Sequence, residues 1–288
     1  VGLKDPTELG FGLTRENDGF RINFVCCKHI CFLRRSQAID EPRFATHHFA
    51  MAHVKFSREA PQPWVVGSLG SSRDLREASA TAVRESCDIA EIRLDLLHAE
   101  GVETDPARWS HLSDIPLLFT ARRIEEGGAL AIGPDARMDL LRGALDQAAW
   151  IDIEVASIRE MGALLRELAE RQIPWIASYH DFNRLPETAA LEDAARQAQD
   201  AGAAVFKAAA RLASPADLAR LADFQLADHG IPVATMGMGP LAPVSRLLCA
   251  QCGSLLNYGY LGATATAPGQ WDSALLKTAI SRLVPVRL

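Results

Sequence analysis

The chain has 288 residues, 48% of them hydrophobic, which is ample for a large core. Its formal net charge of −6 argues against nucleic acid or an anionic membrane as the main partner. No stretch reaches the roughly 18 apolar residues of a spanning helix, no charged-then-apolar leader is visible, and six cysteines are too few for a disulfide scaffold at this length; a cytoplasmic protein is the expectation.

Residues 1–55 lack hydrophobic periodicity and carry a Cys-rich patch with Cys26, Cys27 and Cys31; the first methionine is Met51. This part reads as an unstructured N-terminal extension without a core of its own. The folded unit is expected over residues 56–288.

From Trp64 the pattern becomes regular. A short apolar run is followed by an amphipathic stretch, and the pair recurs about every 25 to 30 residues. The runs cover 64–69, 89–94, 116–121, 150–155, 174–178, 204–209, 232–236 and 255–261. Most lack alternation, as parallel strands buried on both faces do. Between them Leu140, Leu141, Ala144, Leu145 and Ala148 make one helical stripe, and Ile158, Met161, Leu164, Leu165 and Leu168 make another. Ser214-Pro215 supplies a cap and a first-turn proline, and Gly230 is expected to stop that helix. Eight strand–helix repeats point to an α/β protein, a (β/α)8 TIM barrel in a single domain. A doubly wound sheet is the alternative, but the first run ends Gly67-Ser68-Leu69-Gly70 without a full dinucleotide loop.

In a barrel, chemistry sits at the C-terminal strand ends. The second run ends Glu91-Ile92-Arg93-Leu94-Asp95, and alternation puts the three charges on the inner face. Asp95 reads as an internal ion partner, Glu91 and Arg93 as hydroxyl readers. Arg122 can present a planar fork at the barrel mouth, and Glu126, before Gly127-Gly128, belongs to a loop that bends back sharply, where a carboxylate could orient an imidazole. His180 ends the fifth run. Lys207 stands alone in Ala203-Ala204-Val205-Phe206-Lys207-Ala208-Ala209-Ala210. An amine kept from water by an apolar wall loses preference for its charged form and can attack a ketone. Met236 and Met238 suit that wall. Arg246 is expected at the start of the following helix, where an anion also meets backbone N–H groups. The loop Thr264-Ala265-Thr266-Ala267-Pro268-Gly269-Gln270 suits a lid. Cys249 and Cys252 form a lone C-x-x-C with no further ligands at zinc spacing, and read as packing thiols.

The stretches EIRLD, FTARRIEEGG, SYHDF, FKAAA, TMGM, SR and TAPGQ, in this order, resemble type I 3-dehydroquinate dehydratase, the Schiff-base enzyme of the shikimate pathway. The resemblance implies that Lys207 forms an imine with the ketone of 3-dehydroquinate. It implies that His180 removes the C2 proton and returns it to the departing C1 hydroxyl, with Glu126 orienting the imidazole. Arg246 would hold the carboxylate. Ser68, Glu91, Arg93, Arg122, Thr266 and Gln270 would bind hydroxyls and the carboxylate end, and Met236, Met238 and Tyr258 would shape the apolar wall. No metal or organic cofactor is implied, and a homodimer is. Thr266 stands where the family usually has serine and Tyr258 where it usually has phenylalanine; the hairpin that closes the barrel bottom is expected to be short, over 54–57.

The residues agree with that chemistry. Loss of water beta to a ketone needs an acidified alpha carbon, which a protonated imine supplies. Arg93, Arg122 and Arg246 concentrate positive charge for a small carboxylic acid in a chain that is negative overall. The competing readings are a non-catalytic sensor barrel and another Schiff-base barrel enzyme such as an aldolase. The first would be expected to lose Lys207 or His180; the second wants a phosphate cradle that 264–270 does not resemble.

Overall fold

Runs rich in Val, Ile, Ala and aromatic residues fit a pleated surface buried on both sides. In the computed structural model, which describes residues 63–284 and 286 together with two short strands near the N-terminus, eight of them form one parallel sheet. In chain order they are Trp64–Leu69, Ile89–Arg93, Leu117–Thr120, Trp150–Glu154, Trp175–Asp181, Val205–Arg211, Val233–Met238 and Leu256–Tyr260. Each pairs with its predecessor from the second to the seventh, and the eighth returns to the first, with Tyr258 opposite Val66. The seventh and eighth meet through the Leu255 N–H, which donates to the Val233 carbonyl at 3.1 Å, and through the Ser254 hydroxyl, which accepts from the Thr235 N–H at 3.1 Å. The result is a nearly closed eight-stranded barrel wrapped by helices, the TIM-barrel architecture.

Period-two alternation sorts the barrel interior into levels. Val66, Ile89, Leu118, Trp150, Ile176, Val205, Ala234 and Leu256, one from each strand, form a buried apolar cluster across the floor. Burying a large apolar side chain contributes roughly 1.5–3 kcal/mol, so this level anchors the strands. Two residues further along the first six strands the character changes to Ser68, Glu91, Thr120, Asp152, Ser178 and Lys207, all buried, while the last two carry Met236 and Tyr258. The polar site therefore rests on a dry floor.

Ser214 caps the helix Pro215–Leu226 in a reciprocal capping box with Asp217, with proline in its first turn. Gly230 does not stop this helix. Ala227 is its C-cap, and Gly230 adopts φ +69° in the following turn. The stripe at 140–148 also divides: the helix is Pro134–Arg142, and Leu145 belongs to a separate 3-10 turn after Gly143. The second strand ends at Arg93, so Asp95 lies in the first turn of helix Leu94–Ala99 rather than on the strand's inner face.

Contacts divide the chain into Val1–Phe49 and Ala50–Leu288. In the first part an antiparallel pairing of Arg15–Glu16 with Gly19–Phe20 is described. The expected extension over 1–55 and the short hairpin at 54–57 otherwise lie outside the described residues. Among the described residues, no helix is long and apolar enough to cross a membrane.

Candidate active site

A cavity opens at the C-terminal ends of the strands. The structure brings all thirteen residues named from the sequence to its wall, with Gly127, Phe182, Ala209 and Ala267 added. Lys207 and His180 come from adjacent strands whose register sets Ser178 opposite Lys207 and Ala209 opposite His180.

Lys207 points inward. Its Nζ lies 2.7 Å from Asp152 Oδ2 and 4.3 Å from the centre of the Tyr258 ring. Burial pulls the amine below its ordinary value; the Arg122 charge adds to that, and Asp152 opposes it. Burial alone would raise the Asp152 carboxyl. The charges of Arg122 and Lys207 reverse this and hold it well below the usual carboxylate range.

Asp152 Oδ1 accepts from the Ser178 hydroxyl at 2.6 Å and from Arg122 Nη1 at 2.9 Å. The same Nη1 reaches Glu154 Oε1 at 3.0 Å and Ser178 Oγ at 2.6 Å. Arg122 is thus not a free fork, because this nitrogen is committed to the cage beneath the cavity. Arg137 enters from helix Pro134–Arg142, donating to the Ala121 carbonyl at 2.8 Å and to Glu154. A buried cage of this kind is stable only when its members are matched, and here the pairing is dense.

His180 is held by the loop after the third strand. Glu126 Oε2 accepts from the His180 backbone N–H at 2.9 Å and lies 3.0 Å from its Nδ1. The loop can bend this far because of two glycines. Gly127 sits at φ +88°, and a Cβ on Gly128 would come within 2.2 Å of the Arg122 carbonyl oxygen. Burial, then the charges of Arg122 and Lys207, push the imidazole well below its ordinary value, so it is neutral at pH 7. Burial, with help from Glu154, raises the Glu126 carboxyl to about 7 against the pull of Arg122.

Glu91 accepts from Ser68 and, at 2.7 Å, from the Thr120 hydroxyl. Arg93 is gripped by both oxygens of Asp95, at 2.9 and 2.7 Å, which makes Asp95 its internal partner. Arg246 differs from the other arginines of the site. It lies in the second turn of helix Ala242–Gln251, not at its start, and its Nε and Nη1 are buried with no hydrogen-bond partner among the described residues. Burial lowers this guanidinium to about 10. A lined cavity with an unmatched cation is suited to an anionic ligand. Above it, Gln270 Oε1 accepts from the N–H groups of Thr266 and Ala267, at 2.9 and 3.2 Å, and from the Thr266 hydroxyl at 2.9 Å.

A protein-family model described as Type I 3-dehydroquinase matches residues 68–283. The chain belongs to this family. Among relatives of the type I 3-dehydroquinase chain, a 3-dehydroquinate dehydratase of Desulfotalea psychrophila is 38% identical over 190 residues, 64% of this chain and 81% of that protein. One of Methanothrix thermoacetophila is 35% identical over 221 residues, covering 76% and 91%. The crystal structure of 3-dehydroquinate dehydratase from Geobacillus kaustophilus HTA426 superposes with a TM-score of 0.67 at 27% identity, covering 76% of this chain and 90% of that one.

The sequence reading passed over Asp152 and Glu154, although both stand in the fourth run, Trp-Ile-Asp-Ile-Glu-Val. Two carboxylates two residues apart in an apolar strand share one face and call for buried cations. That signal was present in this 3-dehydroquinase chain. Ser178 gave less warning, since a buried serine in a strand is ordinary.

Proposed function

We propose that the chain catalyses the syn elimination of water from 3-dehydroquinate, giving 3-dehydroshikimate through an imine on Lys207. The observation that carries this reading is a buried, inward-facing lysine beside a histidine on the adjacent strand, both opening on one cavity with an arginine unmatched among the described residues.

Burial favours the neutral amine, which adds to the C3 ketone carbon; with one proton taken up from solvent the carbonyl oxygen leaves as water and a protonated imine remains. His180 then takes the C2 proton at its free ring nitrogen, and the C2–H electron pair enters the C2–C3 bond, neutralising the imine nitrogen. As that pair returns, the C1–O bond breaks, and the proton now on His180 leaves with the hydroxyl as water. Hydrolysis releases the conjugated ketone, restores the neutral amine and returns the proton to solvent. One imidazole suffices because both proton transfers lie on the same face. Arg246 binds the carboxylate. Ser68, Glu91, Arg93, Arg122, Thr266 and Gln270 contact the hydroxyls and the carboxylate end, and Met236, Met238 and Tyr258 hold the apolar side of the ring. Homodimer formation and a cytoplasmic location are part of the same reading and rest on family membership. No cofactor is invoked.

Borohydride reduction in the presence of 3-dehydroquinate tests it. The expected result is a stable adduct on the Lys207 peptide, read by mass spectrometry. An unmodified peptide from folded protein would remove the imine and favour a non-catalytic sensor.

The pH profile follows from the Glu126–His180 pair. Ionised Glu126 accepts from Nδ1–H and leaves the other nitrogen bare as the base. Acid protonates Glu126, which then donates to Nδ1 and forces the proton onto the catalytic nitrogen. Activity is therefore expected to fall as pH drops through about 7. The substitution E126Q, which cannot ionise, should abolish that limb; an unchanged limb would assign it elsewhere.

A further inference from the structure

Gly70 lies just past the first strand, and its φ is outside the left-handed region. The backbone there does not demand glycine, so its surroundings must. A Cβ at Gly70 would stand 2.7 Å from Thr266 Cγ2 and 2.9 Å from Leu96 Cδ1. Carbon atoms in good contact sit about 3.5–4.0 Å apart. The methyl group of Thr266 therefore rests directly over the bare Cα of Gly70.

Thr266 belongs to a self-contained turn. Its N–H and hydroxyl and the Ala267 N–H converge on Gln270 Oε1, and the Gln270 N–H donates back to the Ala267 carbonyl at 3.2 Å. At the other end, a Cβ on Gly269 would meet Ala242 Cβ and the Gly239 carbonyl oxygen, each at 2.7 Å. The turn thus stands on two feet, one over the loop after the first strand and one over the loop after the seventh. Because the turn is bonded to itself, it moves as a unit, and lifting either foot displaces the Thr266 hydroxyl and the Gln270 amide together.

We propose that Gly70 is a positioning residue for substrate binding: the space left by its missing side chain receives the Thr266 methyl and thereby seats the lid over the cavity. The proposal rests on reading this cavity as the 3-dehydroquinate site. Gly70 itself touches no reacting atom.

The test compares G70A in two backgrounds, native and T266S, by steady-state kinetics with 3-dehydroquinate and by hydrogen–deuterium exchange of the ligand-free lid segment 262–270. In the native background G70A is expected to raise KM about tenfold and change kcat less than about threefold, the pattern of lost uniform binding. Exchange of the Ala263 amide, which donates to Asp74 outside the turn at 3.2 Å, should quicken in step. In the T266S background, where the methyl is gone, the same glycine substitution should change KM by less than about twofold. An equal penalty in both backgrounds, or a penalty relieved by L96A instead, would overturn the seat and assign the crowding to Leu96. Unchanged lid exchange in G70A would also overturn it. If G70A fails to fold, T266S alone decides, since loss of the methyl foot should speed lid exchange and no change would sink the proposal. The two readings fail separately. Turnover by the native protein with a flat cycle removes only the seat, and lid exchange that follows the cycle without turnover removes only the proposed reaction.

Discussion

The substitution K207A is expected to lower kcat for 3-dehydroquinate by at least about 10⁴-fold, because a positioned amine acts at an effective concentration of about 10⁵–10⁸ M. The loss should fall on turnover more than on binding. Arg246 and the lid groups remain, so the ketone still enters, but its C2–H keeps the acidity of a plain ketone. The fold should survive. Asp152 retains Arg122 at 2.9 Å and the Ser178 hydroxyl at 2.6 Å, so it is not stranded when one of its cations is removed. Circular dichroism and a denaturation midpoint check this alongside the kinetics. Residual activity within about tenfold of native would mean that the lysine acts only as a charge, since general acid–base help alone supplies about 10²–10⁴.

The second large effect is that of H180A, for which kcat should fall roughly 10³–10⁴-fold, near the upper range for a general acid–base group, because one side chain serves two proton transfers. This variant should separate capture from elimination. Lys207 still faces the ketone, so borohydride should still label it, more slowly than in the native protein. Labelling with no turnover is the expected pair of results. A variant that turns over within about tenfold of native would show that another base reaches C2. One that binds substrate but is never labelled would make the imidazole essential to imine formation itself.

How far these roles could be read from the chain differs from residue to residue. Lys207 was legible only with the rest of the chain, because a lysine within a strand is ordinarily structural and it was the histidine ending the neighbouring run that set it apart. His180 and Arg246 were legible through their places at strand ends or beyond, once eight repeats had fixed where strand ends lie. Asp152 was harder. Its importance lies in reaching Lys207 two strands away, and that depends on register, which one sequence does not state. Arg122 lines the cavity as expected, but its fork is not free: Nη1 is drawn down by Asp152 and Glu154 of the fourth strand and Ser178 of the fifth, contacts that also depend on register. Alternation placed Glu91 and Arg93 on the cavity side and failed at Asp95, where the strand has already given way to a helix. The division of the 140–148 stripe was not legible, because apolar spacing continues through Gly143 while the backbone changes from helix to a tighter turn. The role of Gly70 was invisible, since it comes from a methyl group almost two hundred positions away in the chain.

The unmatched guanidinium has an effect beyond recognition. A positive charge shut in a dry place without a counter-ion weighs against the empty fold and not against the loaded one. Filling and folding therefore share one equilibrium, and a carboxylate ligand that binds this corner shields the chain from heat and proteases by an amount that grows with the logarithm of its concentration. The protein is made most durable by the molecule it consumes, and it is most perishable when that molecule runs out.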